Sequence, residues 1–377
     1  MQRGRTLAVL GEIARAVEQL LIAAEEAPIA GRPDLRCAAL VAVGAIDLRL
    51  GRPGESRPRL LEAEGLASRL GDRRLQAKAG YELSALYSDF DGEFGAATEK
   101  LAGAIGIAEE IDDRTLVVEG HLRMGFLRFN EGDLVGAEAS LTRCLEFAAQ
   151  LGSRRDEARA SFLLALTHYY RGDLGEAERL GRQTHEWLER TGETFFQIQN
   201  YVALGVYSLA RKDPQGAERI LREAVPLALE EGPRIIEVYR FLAEALVLQG
   251  RADDATELAE FASRNLPEDD VYSQATVRLA EGIAATGRED RSAAIQGYDD
   301  AVRLYDGLHL PIEGGQARVA YARALRAFGD DPGARARFEQ ARESFANIQA
   351  IGVVAEIDGE LREMSSGAGH TGPARST

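Results

Sequence analysis

The sequence predicts an all-α protein, a solenoid of about eight to nine helix-turn-helix repeats of ~40 residues. Three observations predict it. Gly11, Gly51, Gly92, Gly132, Gly172, Lys212, Gly250, Gly287 and Gly329 recur at intervals of 40, 41, 40, 40, 40, 38, 37 and 42 residues. Five residues after each anchor stands a small residue: Ala16, Ser56, Ala97, Ala137, Ala177, Ala217, Ala255, Ser292 and Ala334. Seven residues before the last eight anchors stand only Gly or Ala: Gly44, Ala85, Gly125, Ala165, Gly205, Ala243, Ala280 and Ala322.

A second punctuation divides each unit. Gly31, Gly71, Gly152, Gly192 and Gly232 lie 20 residues after an anchor, and Asp112 holds the equivalent place once. Each unit is therefore expected to be two helices of up to about 17 residues, each ended by a residue that accepts a left-handed conformation. Residues 1–10 supply half of a first helix, and a complete second helix follows from Glu12. The array is thus expected to begin inside a repeat, without a polar cap: either Met1 is internal to a longer ancestral regulator, or this edge is covered by a second copy or another chain. Asp133, Asp173 and Asp213 are placed to cap second helices, Asp173 with Glu176 as a capping box, and Pro214 and Pro332 occupy the first turn. Nine residues after the anchor a large apolar residue is usual: Leu20, Leu60, Leu101, Leu141, Leu221 and Phe338. Where two antiparallel helices cross closely, only Gly, Ala or Ser leaves room for the partner backbone, and large residues interdigitate beside it. Thr194–Ala210 is uncharged but holds Gln197, Gln199 and Asn200, which fits a buried helix better than a membrane span. Trp187 falls on a second helix, where inter-repeat packing is expected. The solenoid is expected over residues 1–364, and the Ser- and Gly-rich residues 365–377 read as a disordered tail.

The pattern resembles the tetratricopeptide repeat (TPR) family. Met124-Gly125 before Gly132-Asp133, then Ala137, Leu141 and Cys144, is similar to that family's Leu-Gly, Gly-Asp, Ala, Phe and Ala positions. Leu204-Gly205 before Lys212-Asp213, then Ala217, Leu221 and Ala224, repeats it. The period is longer than the family's and its Trp column is missing. Long repeats of this style resemble the TPR regions of large bacterial ATP-binding regulators of the LuxR and maltose-activator type and of ATPase-linked cyclases. The resemblance implies a TPR-like right-handed superhelix and a regulatory or sensory role in bacterial signalling or transcription. It also implies action on a protein or peptide partner, such as a separate ATPase or DNA-binding regulator.

Composition excludes several alternatives. Asp and Glu total 61 against 45 Lys and Arg, a net charge of −16 that repels nucleic acid and anionic lipid. Only Lys78, Lys100 and Lys212 are lysines. None follows a glycine as a P-loop requires, so the ATPase of the resembling regulators is absent from this sequence. The distant Cys37 and Cys144 build no disulfide framework and suit a reducing cytoplasm. Cys144 falls in a small-residue column and is expected to be buried. His121, His168, His185, His309 and His370 form no HExxH, and His168 is read as a packed or capping histidine. The Gly-x-Gly-x-x-Gly at Gly367, Gly369 and Gly372 follows no strand and opens no helix. We identify no catalytic residue, cofactor or metal site, and the chaperone-tail clamp of some TPR proteins lacks its Lys and Asn pair.

The candidate site is a surface. First helices line the concave groove in the resembling family, and their groove positions here are Phe126, Phe129, Asn130, Phe162, Leu166, Tyr169, Tyr170, Val206 and Leu209. Neighbours further along place Glu244, Glu281, Arg323 and Arg326 there. The aromatics offer rigid contact area to a peptide or protein, or fill the core between long helices. A closed aromatic pocket around Phe129, Phe162 and Tyr169 would instead suit an apolar small molecule. An enzyme on this scaffold is the least expected reading.

Overall fold

The computed structural model describes residues 2, 6, 12–191, 193–231, 236–266 and 270–366, with the backbone alone at 191 and 231. The reading of residues 367–377 lies outside the described residues, as do Gly11, Gly192 and Gly232. Among the described residues there are eighteen α-helices and no strand. They are α1 (Ile13–Ile29), α2 (Pro33–Arg49), α3 (Pro53–Leu70), α4 (Arg73–Asp89), α5 (Phe94–Glu110) and α6 (Arg114–Glu131). Then come α7 (Leu134–Leu151), α8 (Arg154–Arg171), α9 (Leu174–Thr191), α10 (Thr194–Ala210), α11 (Pro214–Glu231) and α12 (Glu237–Leu248). The last are α13 (Ala252–Arg264), α14 (Val271–Gly287), α15 (Arg291–Gly307), α16 (Pro311–Ala327), α17 (Asp331–Asn347) and α18 (Ile351–Ser365). Even-numbered helices are the first helices of the repeat, and the uncharged run Thr194–Ala210 is the whole of α10. None of the described helices is long and apolar enough to cross a membrane.

The turns follow the anchors with one correction. Gly51, Gly92, Gly132, Gly172, Lys212, Gly250 and Gly329 have positive φ, whereas Gly287 lies inside α14 and the left-handed residue is Glu289. Anchoring on Glu289 makes the two flanking intervals 39 and 40 residues in place of 37 and 42. It also puts Ala294, Gly282 and Tyr298 into the columns at plus five, minus seven and plus nine. Gly287 attracted the assignment because glycine is the usual left-handed residue; here a glutamate takes that conformation. At the halfway turns Gly31, Gly71, Asp112 and Gly152 are left-handed, and His309 and Gln349 continue the series. Asp133, Asp173 and Asp213 accept the amides of Gly136, Glu176 and Gly216 at 2.9, 3.0 and 2.9 Å. The capping box at Asp173 is half formed. Glu176 turns to Arg179, and the Asp173 amide donates to the His168 carbonyl at 2.9 Å. That bond uses the His168 backbone, not its ring.

The small columns are sites of helix crossing. A Cβ on Gly44 would lie 2.6 Å from Leu60, on Gly125 2.5 Å from Leu141, and on Gly205 2.7 Å from Leu221. In each case the residue seven before the anchor receives the leucine nine after it. Ser56 donates its hydroxyl to the Gly44 carbonyl at 2.9 Å, so this close approach leaves the serine satisfied. Cys37 and Cys144 sit in the same kind of seam, facing the carbonyls of Ala63 and Val118, and burial pushes their thiols up to about 11 and about 12. Ion pairs tie neighbouring repeats together at the surface, among them Arg57–Asp91, Arg74–Asp113, Arg251–Glu218 and Arg291–Asp330. Each exposed pair contributes at most about 1 kcal/mol.

The chain divides into two compact units, one of residues 1–128 and 139–156, the other of residues 129–138 and 157–377. The first is a stack of hairpins with its core in the seams around Leu60, Leu83, Leu101 and Leu127. In the second unit the stack closes on itself. Phe129, Leu134, Ala137 and Tyr170 share one buried cluster with Phe338, Phe345, Ile348, Val353 and Ile357. The turn at Gly132 lies against Ile348, and a Cβ on Gly172 would lie 2.9 Å from the Gly352 Cα.

Two left-handed glycines therefore differ in what surrounds them. Gly51 (φ 69°) has nothing within 4 Å of a Cβ position, whereas Gly132 (φ 84°) has Ile348 against it. Gly51→Ala should cost about 1 kcal/mol from backbone conformation alone. Gly132→Ala should cost about 1–3 kcal/mol more through overpacking, with Ile348→Ala recovering part of it. Urea unfolding followed by circular dichroism measures both.

Candidate functional site

In the second unit, the residue thirteen before each left-handed anchor is polar: Arg159, Gln199, Glu237, Thr276 and Gln316. All five lie on first helices, Thr276 buried and the other four half-buried. Gln316 donates to the Tyr170 hydroxyl at 2.6 Å and accepts from the Arg240 guanidinium at 2.8 Å, joining α8, α12 and α16. Thr276 and Tyr305 share a hydrogen bond of 2.8 Å. Arg159 pairs with Glu193 and lies 5.1 Å above the Phe196 ring. Arg240 is 6% exposed, and its guanidinium lies 4.1 Å from the Phe241 ring. Burial pushes the carboxyls of Glu237 and Glu313 up, and the nearby Arg240 charge only partly opposes this. No sequence motif marked this column, because a polar residue at one position per repeat looks like solvated helix surface until the inward face is known.

The expected groove residues separate into two kinds. Phe129, Phe162 and Tyr170 are buried. The Phe129 and Tyr170 rings meet edge on at 5.8 Å, Tyr169 packs on Tyr170 at 5.1 Å and on Tyr207 at 5.3 Å, and Phe162 meets Phe196 at 5.9 Å. Asn130, Leu166, Tyr169, Val206 and Leu209 keep part of their surface exposed. Phe126 belongs to the first unit, is 39% exposed, and has the Arg123 guanidinium 6.0 Å from its ring.

The first unit carries a recess of about 220 Å³ formed by its first helices α2, α4 and α6. Its floor is Ala38, Val41, Ala42, Ala45, Leu75 and Leu116, and its polar rim is Lys78, Tyr81, Glu82 and Glu119. At the repeat positions of Ala38, Ala42 and Ala45 on α2, α8 carries the larger Arg159, Leu163 and Leu166. Sequence reading missed it because a recess is marked by small residues, which look the same in a packing column. Burial lifts the Glu82 carboxyl to about 7 against the opposing charges of Arg49 and Arg123, and it raises Tyr81 to about 12 and Glu119 above its ordinary value. Among the described residues Glu82 accepts no hydrogen bond and has no cation within 4.0 Å.

The folded state therefore holds the Glu82 proton to about pH 7, while the unfolded chain releases it near the ordinary glutamate value. Between these values the folded state binds more protons, so stability falls as pH rises and the penalty is constant above about 7. Glu82→Gln should raise stability at pH 8 by up to about 3 kcal/mol and leave it unchanged at pH 4. Urea midpoints at the two pH values check this.

No family model matches the chain, and no curated protein matches it. Solved structures do. A Rap protein complexed with Competence and Sporulation Factor is 14% identical with a TM-score of 0.67, covering 96% of this chain and 99% of its own. The Rap conjugation gene regulator of plasmid pLS20, in complex with the Phr* peptide, is 14% identical with a TM-score of 0.63, covering 84% and 96%. Aspartyl phosphate phosphatase F from Bacillus subtilis is 13% identical with a TM-score of 0.62, covering 89% and 94%. At such identities the likeness is one of architecture, and that architecture is the TPR-like helical-repeat solenoid.

Proposed function

We propose that this chain is a regulatory interaction module of bacterial signalling or transcription control, which recognises a peptide or protein segment on the inward faces of its first helices. The observation that carries the reading is the likeness of fold, over 84% of this chain and 96% of the other, to a Rap regulator solved with a peptide. The inward faces of this chain supply what such recognition needs, partly exposed apolar groups beside fixed polar ones. In the second unit these are Leu166, Tyr169, Val206 and Leu209 with Asn130, and in the first unit Phe126. Buried aromatics behind them hold the surface in place and keep its conformational cost low. The partner is a separate regulator, such as an ATPase or DNA-binding subunit, met in the cytoplasm. The chain acts by binding and not by turnover. A second copy of the chain is a further partner.

The test is capture from the source cell's lysate by wild type and by a Val206→Asp/Leu209→Asp variant whose circular dichroism is unchanged. A partner captured by wild type and reduced at least about tenfold by the variant supports the reading. Equal capture by both, or sustained phosphoaspartyl hydrolysis by the purified wild type, overturns it.

A further inference from the structure

The recess on α2, α4 and α6 combines a floor that suits an aliphatic chain with a rim that suits a cation. Ala38, Ala42 and Ala45 stand one helical turn apart, so a guest can approach the α2 backbone while Leu75 closes one side. The lining carries two carboxyls, Glu82 and Glu119, against one ammonium, Lys78. The other charges near Glu82 do not neutralise it at contact distance. Arg49 is exposed at the end of α2, and the Arg123 guanidinium is held by Asp89 and Ser88 at 2.7 and 2.8 Å. Glu82 is thus a half-buried acid beside an apolar surface, with no hydrogen-bond donor among the described residues. Such a group is costly when charged and alone, and a donor from outside would relieve it.

We propose that this recess is a specificity pocket for one basic side chain, arginine or lysine, of an extended partner segment. Its methylenes lie on the alanine floor and its head donates to Glu82, with Glu119 at the rim. The shape and the charge deficit select this occupant over the alternatives. An acidic side chain would meet two carboxyls, and an apolar one would cover Glu82 without giving it a partner. A long side chain with a charged tip fills a recess that is apolar below and acidic above. The pocket adds a residue preference to the peptide-recognition reading and rests on it.

The probes are fluorescein-labelled pentapeptides Ala-Leu-Xaa-Leu-Ala with Xaa as arginine, lysine, citrulline or glutamate, titrated against the full chain at pH 8 by fluorescence anisotropy. Citrulline keeps the shape of arginine without its charge. The arginine and lysine peptides should bind at least about tenfold more tightly than the citrulline peptide, and the glutamate peptide more weakly still. Glu82→Gln should remove that preference, and Ala42→Leu should block the recess. Lys78→Gln, which deletes the competing cation, should strengthen binding of the arginine peptide several-fold, an effect that loss of structure does not produce. Equal affinities for the arginine and citrulline peptides, no binding by any peptide, or an unchanged preference in a folded Glu82→Gln variant overturns the proposal. If the lysate partner is still captured by Glu82→Gln and Ala42→Leu, this pocket assignment fails while the interaction role stands.

Discussion

Every hairpin of this protein depends on one steric condition: two helix backbones must come close enough that a single methyl is the largest side chain tolerated between them. Gly44, Gly125 and Gly205 meet that condition by receiving Leu60, Leu141 and Leu221 where a Cβ would otherwise be. The rest of the repeat follows. The turn must reverse the chain a fixed distance from the crossing, which places a left-handed residue seven positions on, and in several repeats the aspartate after it caps the next helix. The condition is strict enough that the chain keeps the left-handed turn even where glycine is replaced, at Lys212 and Glu289.

Because the crossing fixes the hairpin, the inward face of each first helix is free to vary without loss of fold. That freedom is visible in what the helices place there: alanines on α2, aromatics on α8, an acid and a buried arginine on α12. The architecture sets where these side chains stand, and their chemistry is an independent variable. A solenoid can therefore change what it recognises one helix at a time, while its core columns remain Gly, Ala and Leu.

The periodic part of this arrangement was legible in the sequence. Columns of small residues recur at fixed distance because each reports a local contact repeated many times, and a single wrong anchor, Gly287 for Glu289, left the neighbouring columns almost intact. Features that occur once were not legible. The closure of the second unit rests on Gly132 against Ile348 and Gly172 against Gly352, contacts between residues some two hundred positions apart with no periodic trace. Nothing in the order of Phe162, Leu166, Tyr169 and Tyr170 says which side chains turn to the core and which keep a free edge. The Glu82 recess escaped because it is defined by side chains that are missing.

The closure in the second unit also changes how that unit holds together. An open stack of repeats melts from its ends, since a terminal hairpin has only one neighbour, and its stability is a sum of pairwise terms along a line. In this unit the final hairpin has neighbours on both sides: the preceding repeat, and the turns at Gly132 and Gly172. The line of couplings is joined into a loop, so no C-terminal repeat can fray without also releasing the Phe129 and Tyr170 cluster at the start of the unit. Order in the Tyr170, Gln316 and Arg240 network is thereby tied to a seam far from it in the chain. A ligand that prefers one state of that seam would be felt around the whole circuit at once.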